Sequence, residues 1–193
     1  MTPEHTVRGM NKPRMLSRRG FLKAGLATVA ATAFPALSLA HIHSSAQERR
    51  LSFYHTHTGE ALTICYFRDG DYCRRALSKI SYLMRDHYNE EVISIDTGLL
   101  DLLHRLAGRI QIDAPFHVIS GYRSPHTNAR LRRKSKGVAS RSLHMLGKAV
   151  DIRVPGLRTA VLRKTAVKLK AGGVGYYPQS DFVHVDTGRV RCW

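Results

Sequence analysis

Two runs near the start of the chain's apolar pattern, residues 51–55 and 61–67, alternate apolar and polar positions with the two-residue period of a half-buried strand. Thr58-Gly59 between them is turn chemistry, so the pattern predicts a hairpin. The period then lengthens. Ala76, Leu77, Ile80, Leu83 and Met84 fall on one side of a helix, and Leu99, Leu102, Leu103 and Leu106 do so again behind Asp96, a cap residue. Residues 116–120 form a short apolar strand ending at Gly121, and Ser124-Pro125 then joins a capping hydroxyl to a proline suited to the first helical position. That helix is predicted to run to about Lys134. A strand follows at 148–152, then a helix at 157–171 closed by Gly172-Gly173, then three short strands near 174–176, 182–186 and 189–193. Helices grouped around short strands predict an α+β fold: one domain, with a small antiparallel sheet and flanking helices.

Composition changes this picture mainly at the start of the chain. Ser17-Arg18-Arg19-Gly20-Phe21-Leu22-Lys23 is a twin-arginine pattern, followed by a weakly apolar run to Ala40. Residues 1–40 therefore read as an export signal cleaved after Ala40, residues 41–50 as a linker and residues 51–193 as the folded domain. The apolar run falls short of the roughly 20 residues that span a bilayer, so no stable membrane span is expected after cleavage. Removing residues 1–40 takes away six Lys/Arg and one Glu, leaving 25 basic against 13 acidic residues and a net charge of +12. Such charge suits nucleic acid, but an exported protein meets anionic wall polymer and lipid headgroups first. No nucleic-acid partner is predicted, and Arg130, Arg132, Arg133, Lys134 and Lys136 read as a solvated basic face. Cys65, Cys73 and Cys192 contain no C-x-x-C pair; one disulfide and three free thiols are both open readings.

The candidate chemistry lies in residues 138–151. They contain S-x-H-x-x-G-x-A-x-D, which places His144 and Asp151 seven residues apart. A catalytic zinc site takes three protein ligands and leaves a position open for water. An imidazole and a carboxylate supply two ligands, and His184, in Ser-Asp-Phe-Val-His-Val-Asp, supplies the third. Strand alternation puts Asp186 on the face of His184, where it can accept from the ring nitrogen turned away from a metal. Asp181, three residues before His184, is a spare acid that reaches the site only from the turn and is read there as the general base. Arg123, at a strand-to-helix corner, offers a fixed donor fork for a carboxylate or an oxyanion. Tyr176 and Tyr177 are candidate cleft residues. The pairs His41/His43 and His55/His57 are not read as catalytic ligands, and His87, His104, His117 and His126 have no partner pattern.

Taken together, Ser-Gly-Tyr-Arg-Ser at 120–124, the block ending at Asp151, Gly-Gly-Val-Gly-Tyr-Tyr-Pro at 172–178 and Asp-Phe-Val-His-Val-Asp at 181–186 give the chain a family likeness. It resembles the zinc peptidases of the D-alanyl-D-alanine carboxypeptidase group, and most of all the YcbK-type periplasmic murein endopeptidases. The resemblance covers most of residues 51–193. It implies one Zn²⁺ per chain, held by His144, Asp151 and His184, with Arg123 in the catalytic centre. It also implies a monomer that acts on peptidoglycan in the periplasm after passage through the twin-arginine machinery. Many relatives carry Glu-x-x-His or His-x-His where this chain has Asp181 and Phe182 ahead of His184. The readings that follow are a peptidoglycan cross-link endopeptidase, a D,D- or L,D-carboxypeptidase, and an inactive wall-binding zinc module.

Overall fold

The computed structural model describes residues 48–135 and 137–193; the predicted export signal, linker residues 41–47 and Lys136 lie outside the described residues. In chain order the elements are β1 (Arg49–His55), β2 (Ala61–Arg68), β3 (Asp71–Tyr72), α1 (Arg74–Leu83) and α2 (Thr97–Ile110). Then come β4 (Phe116–Ser120), α3 (Pro125–Lys134), β5 (Ala149–Arg153), α4 (Thr159–Leu169), β6 (Gly173–Tyr177), β7 (Phe182–Asp186) and β8 (Arg191–Cys192). All eight strands join one sheet in the order β3-β2-β1-β4-β5-β7-β6-β8. The α+β class holds, but the sheet is neither small nor wholly antiparallel, because β1 pairs with β4 and β6 with β8 in parallel. Alternation specifies which face of a strand is buried and is silent on its neighbour, so the crossover from β1 through α1 and α2 to β4 leaves no local mark. The linker also ends earlier than expected, since β1 starts at Arg49.

Local chemistry sets the helix boundaries. The Asp96 carboxylate accepts the Leu99 N–H at 3.1 Å and opens α2, and the Ser124 hydroxyl accepts the Thr127 N–H at 3.1 Å ahead of Pro125 to open α3. The fourth helix begins two residues later than its apolar pattern suggests, because Leu157 closes a turn on Val154. It ends at Lys170 in a left-handed conformation, with Gly173 already in β6.

One sheet face carries the core. Leu51, Phe53, Val118, Val150, Ile152, Val183 and Val185, from the four adjacent strands β1, β4, β5 and β7, are at most 3% exposed. They meet Ile80 of α1, the leucine stripe of α2 and Leu162 of α4. By alternation the opposite face of β5 and β7 presents Asp151 and His184, a cross-strand pair. The core thus fixes the sheet from one side and leaves the other for chemistry. The three cysteines are all free thiols. Leu103, fully buried in α2, is expected to cost about 2–5 kcal/mol when changed to Ala. Denaturant unfolding measures this, and a loss below about 1 kcal/mol would remove α2 from the core described here.

Candidate metal centre

Three donors converge at the middle of the sheet face opposite the core. Asp151 and His184 sit opposite each other across the β5–β7 ladder, with His184 Nδ1 2.9 Å from Asp151 Oδ1. His144 arrives from a short 3-10 turn, Leu143–Leu146, and places Nε2 3.1 Å from His184 Nδ1 and 3.2 Å from Asp151 Oδ1. That turn closes through Gly147 at φ 64°, where a Cβ would stand 2.6 Å from the Ser94 carbonyl, so the reversal into β5 requires glycine. All three side chains are buried.

The remaining ring nitrogens are already engaged. His144 Nδ1 donates to the Gly121 carbonyl at 2.7 Å, and His184 Nε2 donates to Asp186 at 3.0 Å. A Cβ on Gly121 would lie 2.5 Å from the Met84 carbonyl, so this corner packs with no room for a side chain. With those tautomers assigned from their acceptors, the nitrogens facing each other are bare in the neutral rings. Two nitrogen lone pairs and a carboxylate oxygen then meet within 2.9–3.2 Å, an arrangement that only a cation or a proton relieves. The edge of a tetrahedron around zinc with ligands at about 2.0 Å is about 3.3 Å, so the donor set fits that ion in type, number and spacing.

Electrostatics follow the same geometry. Burial works against the Asp151 carboxylate, but the two imidazoles outweigh it and hold its pKa well below the usual range. Burial likewise disfavours charged His184, yet its hydrogen bonds with Asp151 and Asp186 prevail and push it up to about 9. Asp186 is wholly buried and takes the His184 ring, the Arg191 guanidinium and the backbone N–H groups of Gly173 and Gly188. These donors overcome its burial and keep it ionised. Arg123 leans in from the β4–α3 corner, 3.5 Å from Asp151 Oδ2 and 3.3 Å from Ser120 Oγ.

The centre opens into a cavity of about 410 Å³ walled by Tyr177, Phe182, Trp193, Arg141 and Arg191. Trp193 lies tilted against His184 with 5.3 Å between ring centres and donates to the Tyr177 hydroxyl. The sequence reading missed Trp193 and Arg191; their positions depend on β8 joining β6, which no spacing announced. Two expected residues stand elsewhere. Tyr176 faces away from the cavity, under Arg163 and against the core, because neighbours on a strand point to opposite faces. Asp181 follows the Pro178–Ser180 turn with φ 51°, which carries its carboxylate to the Thr159 hydroxyl at 3.2 Å and Arg153 at 3.6 Å. It is 61% exposed and lines neither this cavity nor the one beyond Arg123.

Comparison with known proteins decides the lineage. Residues 43–193 match the family described as peptidoglycan L,D-endopeptidase MepK. The chain belongs to that family. It is 40% identical over 177 residues to the peptidoglycan L,D-endopeptidase MepK of Escherichia coli strain K12, covering 92% of this chain and 97% of the relative. It is 38% identical over 178 residues to the probable peptidoglycan L,D-endopeptidase MepK of Haemophilus influenzae, covering 92% and 95%. Residues 15–35 match the twin-arginine translocation signal, as the arginine pair suggested, so the protein is exported to the periplasm. No helix among the described residues is long and apolar enough to cross a membrane.

Zinc uptake must displace the proton that His184 holds up to about pH 9. Calorimetry of chelated protein at pH 7, in buffers of different ionisation enthalpy, should show about one proton released per ion, and affinity that rises with pH up to about 9. His144→Ala should reduce bound zinc to near zero. Proton-neutral binding, or stoichiometric zinc in that variant, would contradict the donor set described here.

Proposed function

We propose that the protein is a zinc-dependent peptidoglycan endopeptidase that hydrolyses peptide cross-links of the wall. One observation carries the reading of endopeptidase over carboxypeptidase. The cavity at the metal centre and a second one of about 200 Å³ both include Arg123, Asp151 and Phe182 in their walls, so open space runs on past Arg123 from the centre. A chain can therefore lie across it, whereas a carboxypeptidase needs one side closed around a terminal carboxylate. Family membership and the relatives' activity support the same reaction.

His144, Asp151 and His184 would hold one Zn²⁺, which supplies Lewis acidity and brings the pKa of a water to about 7. The remaining work belongs to the chain. Asp186 and the Gly121 carbonyl orient the two imidazoles. Arg123 presents its fork to the attacked carbonyl, where negative charge develops. The aromatic wall of Tyr177, Phe182 and Trp193 sets the depth of the substrate on one side.

The proton of the attacking water goes to Asp181, which passes it to the departing amine. Asp186 is unsuited to that duty, since it is sealed and saturated with donors. For that duty Asp181 must leave the Thr159 hydroxyl and Arg153, the latter a contact between groups 40% and 61% exposed that is worth little. Its neighbour Phe182 already forms part of the wall.

The test is digestion of defined cross-linked muropeptides with purified mature protein, read by mass. Separation of the two stems supports the proposal; loss of a single terminal residue identifies a carboxypeptidase, and no product despite bound zinc identifies a binding module. Asp181→Asn should keep its zinc and lose about 10²- to 10⁴-fold in rate. Unchanged turnover would assign the base elsewhere, and loss of zinc would make Asp181 a ligand.

A further inference from the structure

The Arg123 guanidinium is held only loosely by its own contacts. Among the described residues it meets Ser120 Oγ at 3.3 Å and Asp151 Oδ2 at 3.5 Å, both long for a charged donor. A fork that receives developing negative charge has to stand within about 0.5 Å of its place. That precision comes from the backbone beneath it. The Tyr122 N–H donates to the Met84 carbonyl at 2.7 Å, the Arg123 N–H to the His144 carbonyl at 3.3 Å and the Ser124 N–H to the Asp86 carboxylate at 2.8 Å. Three consecutive N–H groups are tied down, and Arg123 is the middle one.

Two of the three acceptors are main-chain carbonyls, which any side chain at those positions would leave in place. Asp86 is different, because there the acceptor is the side chain itself. It is 1% exposed, and its two oxygens have separate partners. Oδ1 accepts the Tyr88 N–H at 3.0 Å and closes a local turn, whereas Oδ2 reaches across 38 residues to Ser124. Burial works against the charge, but the Ser124 and Tyr88 N–H groups prevail and hold the carboxyl below the ordinary aspartate value. A carboxylate that served only its own turn would need one oxygen. The second is committed to the residue that follows Arg123.

The segment behind Asp86 is irregular but braced. The Asp86 N–H donates to the Glu91 carbonyl at 3.0 Å, and the Glu90 N–H returns to the Asp86 carbonyl at 2.8 Å. Arg85, 6% exposed, pairs with Glu60 and Glu90, and His87 stacks face to face on His57 with ring centres 4.1 Å apart. Asn89 adds a bond from Nδ2 to Ser124 Oγ at 3.0 Å. Asp86 therefore ties the β4–α3 corner to a fixed point.

We propose that Asp86 is a positioning residue for the hydrolysis: it acts through the backbone of residues 123 and 124 and sets where the Arg123 guanidinium meets the attacked carbonyl. The proposal rests on the role given to Arg123 above. Asp86 touches neither substrate nor metal, so its effect falls on the transition state, where Arg123 works, rather than on substrate affinity.

The experiment measures kcat, KM and zinc content on a defined cross-linked muropeptide, with mature protein and variants. Asp86→Asn keeps the volume but offers one oxygen where two N–H groups need acceptors. It should lower kcat about 10²-fold, move KM by less than about twofold and retain about one zinc per chain. Added to Arg123→Ala, the same change should cost less than about twofold more, because the group it positions is gone. Equal losses in both backgrounds, a wild-type kcat in Asp86→Asn, or zinc lost from that variant overturns the proposal. If Asp86→Asn does not fold, Asn89→Ala loosens Ser124 from an exposed site and should lower kcat about threefold, but only where Arg123 is present. An equal effect in both backgrounds, or none in either, overturns the proposal in the same way. Wild-type turnover in Arg123→Ala counts instead against the role given to Arg123, and failure of wild type to cleave the muropeptide counts against the endopeptidase reading.

Discussion

Three lone pairs forced together on a sheet face are the constraint around which this molecule is arranged. His144 Nε2, His184 Nδ1 and Asp151 Oδ1 are turned toward one another because the outer nitrogens of both rings are bound to fixed acceptors, Gly121 and Asp186. The acceptors are themselves fixed. Gly121 lies against the Met84 backbone at the end of α1, and Asp186 is enclosed by Gly173, Gly188 and Arg191. Loss of any one support would free a ring to rotate and relieve the repulsion without a metal. The centre therefore depends on packing several residues away from the ligands, as is general for ligating histidines.

The apolar face of the sheet enforces the polar one. Val150 and Ile152 on β5, with Val183 and Val185 on β7, are completely buried, and they alternate with Ala149, Asp151, His184 and Asp186. A slip of one residue in either strand would drive a carboxylate or an imidazole into the leucines of α2 and expose valines in the cleft. The register that buries the core is thus the register that pairs Asp151 with His184. Stability and chemistry are specified by the same alternation.

Much of this was legible in the sequence, for identifiable reasons. Periods of two and 3.6 located the strands and helices; Asp96 and Ser124 marked the starts of two helices to the residue, and S-x-H-x-x-G-x-A-x-D named two donors and the glycine between them. What stayed hidden depends on partners distant in sequence. The parallel pairings of β1 with β4 and β6 with β8 have no local signature, and Trp193 and Arg191 reach the cleft only through the second of them. His87 looked unconnected to the His55/His57 pair because thirty residues separate it from the ring it stacks on, His57. The orientation of Asp181 turns on one left-handed backbone angle, at a residue type that tolerates it without requiring it.

The central claim is that a single zinc ion sits among these three donors, and crystals of zinc-loaded mature protein measured on either side of the zinc absorption edge test it directly. The account predicts one anomalous peak per chain, at about 2.0–2.2 Å from His144 Nε2, His184 Nδ1 and an Asp151 oxygen, with Asp186 still bonded to His184 Nε2. A peak coordinated by Asp181, or by the His55–His57–His87 group, or no peak in protein that hydrolyses wall peptides, would contradict it.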